Sequence, residues 1–321
     1  IQESIEIKKH VAVLHFVQAT KTGITVPRLD FVKKMKARYG NALVIVVDAA
    51  QVRCTDYSIK SYLDQGFCVF VTGSKFFAGV SFCGAAFIPE KEAISVHDEN
   101  VYVPTSFSDY ITRDDIDEKL VSFRAKFASW KNYGGLLRWE TALCEMEKFY
   151  AIPQSLRNSI ISDWVQGVEE LIKKSESVRL FKQCGKFLDD PVDGSMMAGC
   201  SSIIPICFDG QKNDTKGEAL KYIHKLLFDD ISMDFSASVS QEERALAKEK
   251  FLIGQPVILS DGDCSVGVLR IALSAPMVIA MAGNDEMYTD AVKKRVEKEL
   301  AYDKKIVDKL TLISKYFSAL K

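Results

Sequence analysis

Over the first hundred residues, short apolar runs alternate with polar stretches of helical spacing, the pattern of α/β layering around a mostly parallel sheet. Four runs predict buried strands, at 11–17, 42–47, 67–71 and 83–88; each is rich in β-branched or aromatic residues and too short for a buried helix. Between the first two, Pro27 followed by Leu29, Phe31, Val32 and Met35 predicts a helix that stops near Gly40. Strand, helix and strand together make a β-α-β unit.

From Asn132 the period changes. Leu136, Trp139, Leu143, Met146 and Tyr150 recur every three or four residues as one helical stripe. A second helix follows, with Pro153 suited to its first turn and Leu156, Ile160, Trp164, Val168 and Leu171 as its buried face. The domain boundary is expected between these helices, giving a large domain at 1–150 and a smaller α+β domain at 151–321. The second domain is expected to hold strands at 202–208, 256–259 and 266–273 and a helix around 217–227. A terminal helix carries Val292, Val296, Leu300, Ile306, Leu310, Ile313 and Phe317 at helical spacing, its charged face expected in solvent.

Composition narrows the function classes. The chain has 321 residues, 47% of them hydrophobic, enough for one large core or two moderate ones. Its 42 basic and 43 acidic side chains leave a formal charge of −1, so no global field favours nucleic acid or an anionic membrane. A small-molecule partner fits that balance better. Eight cysteines form no C-x-x-C pair and several lie in apolar runs, which points to a reducing compartment and a cytoplasmic location. Four histidines, none spaced as a metal pair, argue against a zinc site, and no apolar run reaches membrane-spanning length. The chain opens on Ile1 and reaches strand-like sequence within about ten residues. That start suggests a domain entered partway.

Two strand ends carry the strongest chemical signal. Val47-Asp48-Ala49-Ala50-Gln51 closes one buried run and Thr72-Gly73-Ser74-Lys75-Phe76-Phe77 closes the next. In open α/β sheets ligands bind outside the carboxyl ends of the strands, so Asp48 and Lys75 can converge on one small molecule. A lysine amine can form a Schiff base with an aldehyde, and a carboxylate near a pyridine nitrogen stabilises its protonated form. Taken singly these residues have plainer readings. An aspartate at a strand end is often a cap or turn residue, a lysine after Gly-Ser is often a solvated loop residue, and a strand arginine such as Arg270 can make a structural ion pair.

In order and separation, these motifs resemble the class V aminotransferase and cysteine desulfurase group of pyridoxal-phosphate (PLP) enzymes. The likeness continues through Phe82-Cys83-Gly84-Ala85, Asn132-Tyr133-Gly134-Gly135-Leu136-Leu137-Arg138-Trp139-Glu140 and Gly267-Val268-Leu269-Arg270-Ile271-Ala272-Leu273. The resemblance implies a fold-type I, three-layer PLP-transferase large domain, here without its N-terminal strands, and a smaller α+β domain. It implies PLP as cofactor, an amino acid or amine as substrate, and a homodimer. Lys75 would hold the cofactor and move the substrate's Cα proton, and Asp48 would pair with the pyridinium nitrogen. Gln51 would meet the phenolic oxygen, Thr72 and Ser74 the phosphate, and Arg270 a substrate carboxylate. The family's phosphate loop and ring-stacking side chain precede the first strand seen here, so a catalytically degenerate binding module is the alternative. At the position of the family's cofactor-contacting asparagine stand only Gln18 and Thr20. Desulfurase chemistry would need a mobile nucleophilic cysteine; Cys264 is the nearest, in a stretch that reads as a turn.

Overall fold

The computed structural model describes residues 1–53, 56–93, 101–181, 202–208, 218–235, 239–261 and 264–316. The chain divides into two compact units. The first comprises Ile1–Thr20, Thr25–Phe149 and Asp190–Met196; the second comprises Lys21–Ile24, Tyr150–Asp189 and Met197–Lys321.

The first unit is α/β, as the alternation of runs predicts. Its sheet has the order β1-β2-β3-β4, from strands β1 (Ala12–Val17), β2 (Leu43–Ala49), β3 (Cys68–Thr72) and β4 (Gly84–Phe87). The first three run parallel and β4 is antiparallel to β3. Helix α1 (Leu29–Tyr39) forms the crossover from β1 to β2, and α2 (Asp56–Asp64) that from β2 to β3. Helix α1 starts two residues after Pro27 and ends at Gly40, whose φ of 50° carries the chain out of the helix. Phe16, Leu43, Ile45, Val47 and Val69 are fully buried, but Val13, Phe70 and Phe87 are exposed, so β1 and β4 are not the buried strands that their apolar runs predict. Two one-turn helices, α3 (Glu90–Ala93) and α4 (Val121–Arg124), lead towards α5 (Tyr133–Ala151).

In α5 the apolar stripe is not the buried face. Leu136 and Leu143 are 61% and 50% exposed, whereas Ala142 and Phe149 are buried. The reason lies in the partner surface. A Cβ on Gly73 would sit 2.3 Å from the Ala142 Cβ, and one on Gly79 would sit 2.8 Å from it. The helix therefore approaches through the small side chain of Ala142, against two glycines, and turns its leucines away.

The second unit is built on an antiparallel sheet of order β5-β6-β8-β7, from β5 (Val178–Leu180), β6 (Ile203–Phe208), β7 (Gly254–Asp261) and β8 (Cys264–Ala272). Its helices are α6 (Gln154–Lys173), α7 (Glu218–Phe228), α8 (Gln241–Lys248), α9 (Ala275–Ala282) and α10 (Asp290–Tyr316). Helix α6 buries Leu156, Ile160, Trp164 and Val168 as their spacing predicts.

Helix α10 buries Val292, Val296, Ile306, Leu310 and Ile313, but with them two charged residues, Asp303 and Lys309. This corrects the expectation that its charges are all solvated. Asp303 Oδ2 accepts a 2.8 Å hydrogen bond from the Trp164 indole. Lys309 Nζ donates to three main-chain carbonyls, those of Leu227, Asp229 and Glu249, where α7 and α8 end. Helix ends leave carbonyls without intrahelical donors, and one ammonium satisfies three of them. Burial pushes the Asp303 carboxyl up to about 7, against the pull of the indole hydrogen bond and with a smaller push from Glu299. Burial likewise lowers the Lys309 ammonium to about 8, although Asp230, Asp229 and Glu249 oppose it.

Candidate active site at the carboxyl ends of β1, β2 and β3

Parallel pairing places the ends of three strands side by side. Asp48 is level with Val17 on β1 and with Phe70 on β3. Residues level across a sheet share a face and every second residue returns to it, so Asp48 and Thr72 project from the same face of neighbouring strands. The carboxylate of Asp48 is half-buried, and its Oδ1 accepts the Ala50 N–H at 3.0 Å, an Asx turn that fixes its orientation at the strand's end. Behind it the chain bends sharply, with the Val52 N–H bonded to the Ala49 carbonyl at 2.8 Å and Val52 at a φ of 47°. Gln51 sits half-buried on that bend.

The turn after β3 is anchored on both sides of Lys75. Thr72 Oγ1 accepts the Ser74 N–H at 3.2 Å, and the two hydroxyls lie 2.9 Å apart. The Gly73 N–H bonds the Cys83 carbonyl, and the Gly79 N–H bonds the Gly73 carbonyl, each at 3.0 Å. After Lys75 come Phe76 and Phe77, both fully buried, whose rings meet that of Phe149 edge to face at 5.2 and 5.7 Å. The Arg53 guanidinium covers Phe76 at 4.9 Å. Lys75 is thus an exposed amine between a glycine sealed against α5 and two buried aromatics. Its backbone position is set by packing while its side chain stays accessible. No ion pair within 4.0 Å joins it to Asp48 among the described residues.

Gln18 follows β1 directly. Its N–H bonds the Asp48 carbonyl at 2.9 Å, its side chain is 5% exposed, and its Oε1 is buried without a hydrogen-bond partner. An amide oxygen left so costs about 1–3 kcal/mol, which a donor brought by a bound molecule would recover. The sequence marked this position without assigning it, and only its burial singles it out.

Arg270, on β8 of the second unit, is half-buried. Its Nε and Nη2 donate to the Gln255 carbonyl at 3.1 and 2.9 Å, and its Nη1 donates to the Lys21 carbonyl at 3.1 Å. The ion pair that the sequence left open is replaced by main-chain carbonyls. A guanidinium has five N–H donors, so two remain for another acceptor. Cys264 opens β8, but its side chain lies outside the described residues, as do Cys54, His97, Cys184 and Cys200. No group of three or more metal-ligating side chains forms among the described residues, and no helix there is long and apolar enough to cross a membrane.

No family model matches the chain, and no curated protein matches it. Solved structures do. The apo form of mouse CSAD is 15% identical at a TM-score of 0.44, over 91% of this chain and 51% of that one. A phosphoserine aminotransferase SerC from Cytophaga hutchinsonii is 13% identical at 0.43, over 90% and 63%. An alanine–glyoxylate aminotransferase from Nostoc sp. is 9% identical at 0.43, over 95% and 64%. The chain spans about half to under two thirds of the length of these structures.

Proposed function

We propose that the chain carries the lysine-bearing part of a PLP-dependent, fold-type I transferase of the class V aminotransferase kind, acting on an amino acid or amine. The observation that carries this reading is the arrangement at the sheet edge. Asp48 and Thr72 share one face of adjacent parallel strands, and an accessible amine follows three residues on, on an anchored turn. The donor set suits the cofactor: a carboxylate for a pyridinium, hydroxyls for a phosphate, an amine for an aldehyde, and an unsatisfied buried amide oxygen at Gln18. When bound, PLP supplies an electron-accepting ring.

In this reading Asp48, oriented by its Asx turn, holds the ring nitrogen protonated. Lys75 would hold the cofactor through its amine and would move the proton at the substrate's Cα. Thr72 and Ser74 turn their hydroxyls to the phosphate, and Gln51 meets the phenolic oxygen. The two unengaged N–H groups of Arg270 take a substrate carboxylate. The reading includes a homodimer whose protomers both shape the site.

The test is chemical. PLP added to the purified protein and reduced with borohydride should leave one stoichiometric adduct, located by peptide mass spectrometry on Lys75, and Lys75→Ala should lose both it and the visible absorbance. An adduct spread over other lysines, or none, would overturn the assignment. The use of three Arg270 donors on the main chain favours a second reading, a PLP-fold module that binds a small molecule without turning it over. It predicts saturable PLP binding that survives Lys75→Ala.

A further inference from the structure

In the second unit a glycine stands where the backbone does not call for one. Gly254 opens β7, at the end of the sheet order, and lies opposite Arg270 of β8. Its φ is not left-handed, so its conformation does not require glycine. A glycine within a strand weakens it and often marks a close approach by another group. Here that group is a side chain. A Cβ at position 254 would lie 3.0 Å from the Cβ, the Nε and the Cζ of Arg270 at once. The arginine therefore folds back flat over Gly254. Because β8 is paired with β6 on one side and β7 on the other, its main chain is held, and the guanidinium end is what would give way to an added methyl.

After Gly254 and Arg270, the next pair on this ladder is Val257 with Val268, so three steps on β7 match two on β8. One extra residue makes a β-bulge, a device that re-aims groups beside functional sites. Gln255 and Pro256 lie in it. The Gln255 carbonyl accepts from both Nε and Nη2 of Arg270, and the Lys21 carbonyl accepts from Nη1. One N–H is left on each terminal nitrogen. Both acceptors are neutral, and no carboxylate acts on the guanidinium, whose pKa is lowered by burial alone. The group is thus a cation with its orientation fixed and two donors still to give. A ligand that meets it does not have to order a long side chain first, and that cost otherwise comes out of its affinity. We propose that Gly254 and the bulge after it form a seat for the Arg270 guanidinium, which makes Gly254 a positioning residue for a ligand's carboxylate, a role that rests on Arg270 meeting a substrate carboxylate and holds with or without turnover.

Phenylglyoxal modifies guanidinium groups, and a bound carboxylate shields them. Modification of Arg270 in the purified protein, read by peptide mass spectrometry, should slow as propionate is added. Gly254→Ala should raise the propionate concentration for half-protection about tenfold, as expected when a hydrogen bond to a charged group is lost, with a melting temperature close to that of the wild type. Ile258→Ala, at a half-exposed position on the same strand, should leave that concentration unchanged. Equal protection of the wild type and Gly254→Ala would overturn the seat and leave Arg270 as the carboxylate's partner. Absence of protection in the wild type would overturn both. An equal loss with Ile258→Ala, or a Gly254→Ala chain that no longer folds, would overturn the seat too, since the glycine would then serve the strand and not the arginine.

Discussion

The two units treat their awkward side chains in opposite ways. Most of the large apolar residues left open to solvent belong to the first unit, among them Phe82, Tyr102, Tyr110, Val121, Tyr133, Leu136 and Leu137, and its polar chemistry stands at strand ends. Among its described residues the second unit leaves fewer large apolar groups open and buries two charged ones, Asp303 and Lys309. Apolar surface in solvent is a cost that an occupant can recover, whereas a buried charge is a cost that only internal partners can offset. In the first unit the cost lies in uncovered apolar surface, and in the second it lies in charges that depend on partners within the unit.

Removing the internal partners should break the second unit hardest. Lys309→Met keeps the volume but strands the carbonyls of Asp229 and Glu249, while that of Leu227 keeps the Phe251 N–H, and should cost about 3–5 kcal/mol of unfolding free energy in urea titrations. A loss under about 1 kcal/mol would mean that water replaces the ammonium and that the clasp is incidental.

Acid should sharpen the contrast. The Asp303 carboxyl stands near 7 when folded, above its ordinary 3.8, so the folded state holds its proton longer than the unfolded chain does. Its contribution is fully present below about pH 4, is lost as pH rises towards 7, and amounts to about 4 kcal/mol at most. Lys309 acts oppositely in a higher window. Its folded pKa near 8 lies below the ordinary 10.5, so stability returns as pH rises from about 8 to 10.5. Unfolding of the second unit should thus be easiest near pH 7–8. Asp303→Asn keeps an acceptor for the indole and should flatten the acid limb, which denaturant midpoints at pH 5 and pH 8 would show.

In the first unit the sensitive point is steric. Gly73→Ala would thrust a methyl against Ala142, 2.3 Å away, and towards the Cys83 sulfur at 3.2 Å. Overpacking of this kind costs about 1–3 kcal/mol. Because the same glycine anchors the Lys75 turn, PLP adduct formation should slow more than stability falls. Equal yields of reduced adduct in the two proteins would show that the turn adapts without moving the amine.

Much of this was legible in the sequence, and what was not has identifiable causes. The strands stood out because β-branched runs of five to seven residues have no other economical structure, and the α/β class follows from them. Helix α9, Ala-Pro-Met-Val-Ile-Ala-Met-Ala, is apolar all round and shows no period to read. In α5 the apolar residues exceed what one buried face needs, so periodicity chose the wrong stripe; the decisive contact comes from glycines some seventy residues earlier. Asp303 was readable in principle. It falls four residues before Val307 and seven before Leu310, on the apolar stripe, a spacing at odds with a solvated charge. The strand-end residues were visible as residue types, but the shared face of Asp48 and Thr72 needs the strand register, and the buried oxygen of Gln18 needs the packed structure.

The smallest expected effect separates an open surface from a covered one. Leu137 and Leu143 are 65% and 50% exposed on α5, so Leu137→Ser and Leu143→Ser remove little buried area from a lone chain. In dilute solution each should change unfolding free energy by no more than about 0.5 kcal/mol, the usual range for surface changes. If a second copy covers this face, the leucines become interface residues and their loss weakens association. The cost should then grow with protein concentration, and sedimentation should show a smaller dimer fraction in the serine variants. A concentration-independent cost above about 1 kcal/mol would contradict both outcomes, since it would require the helix to be buried within its own chain.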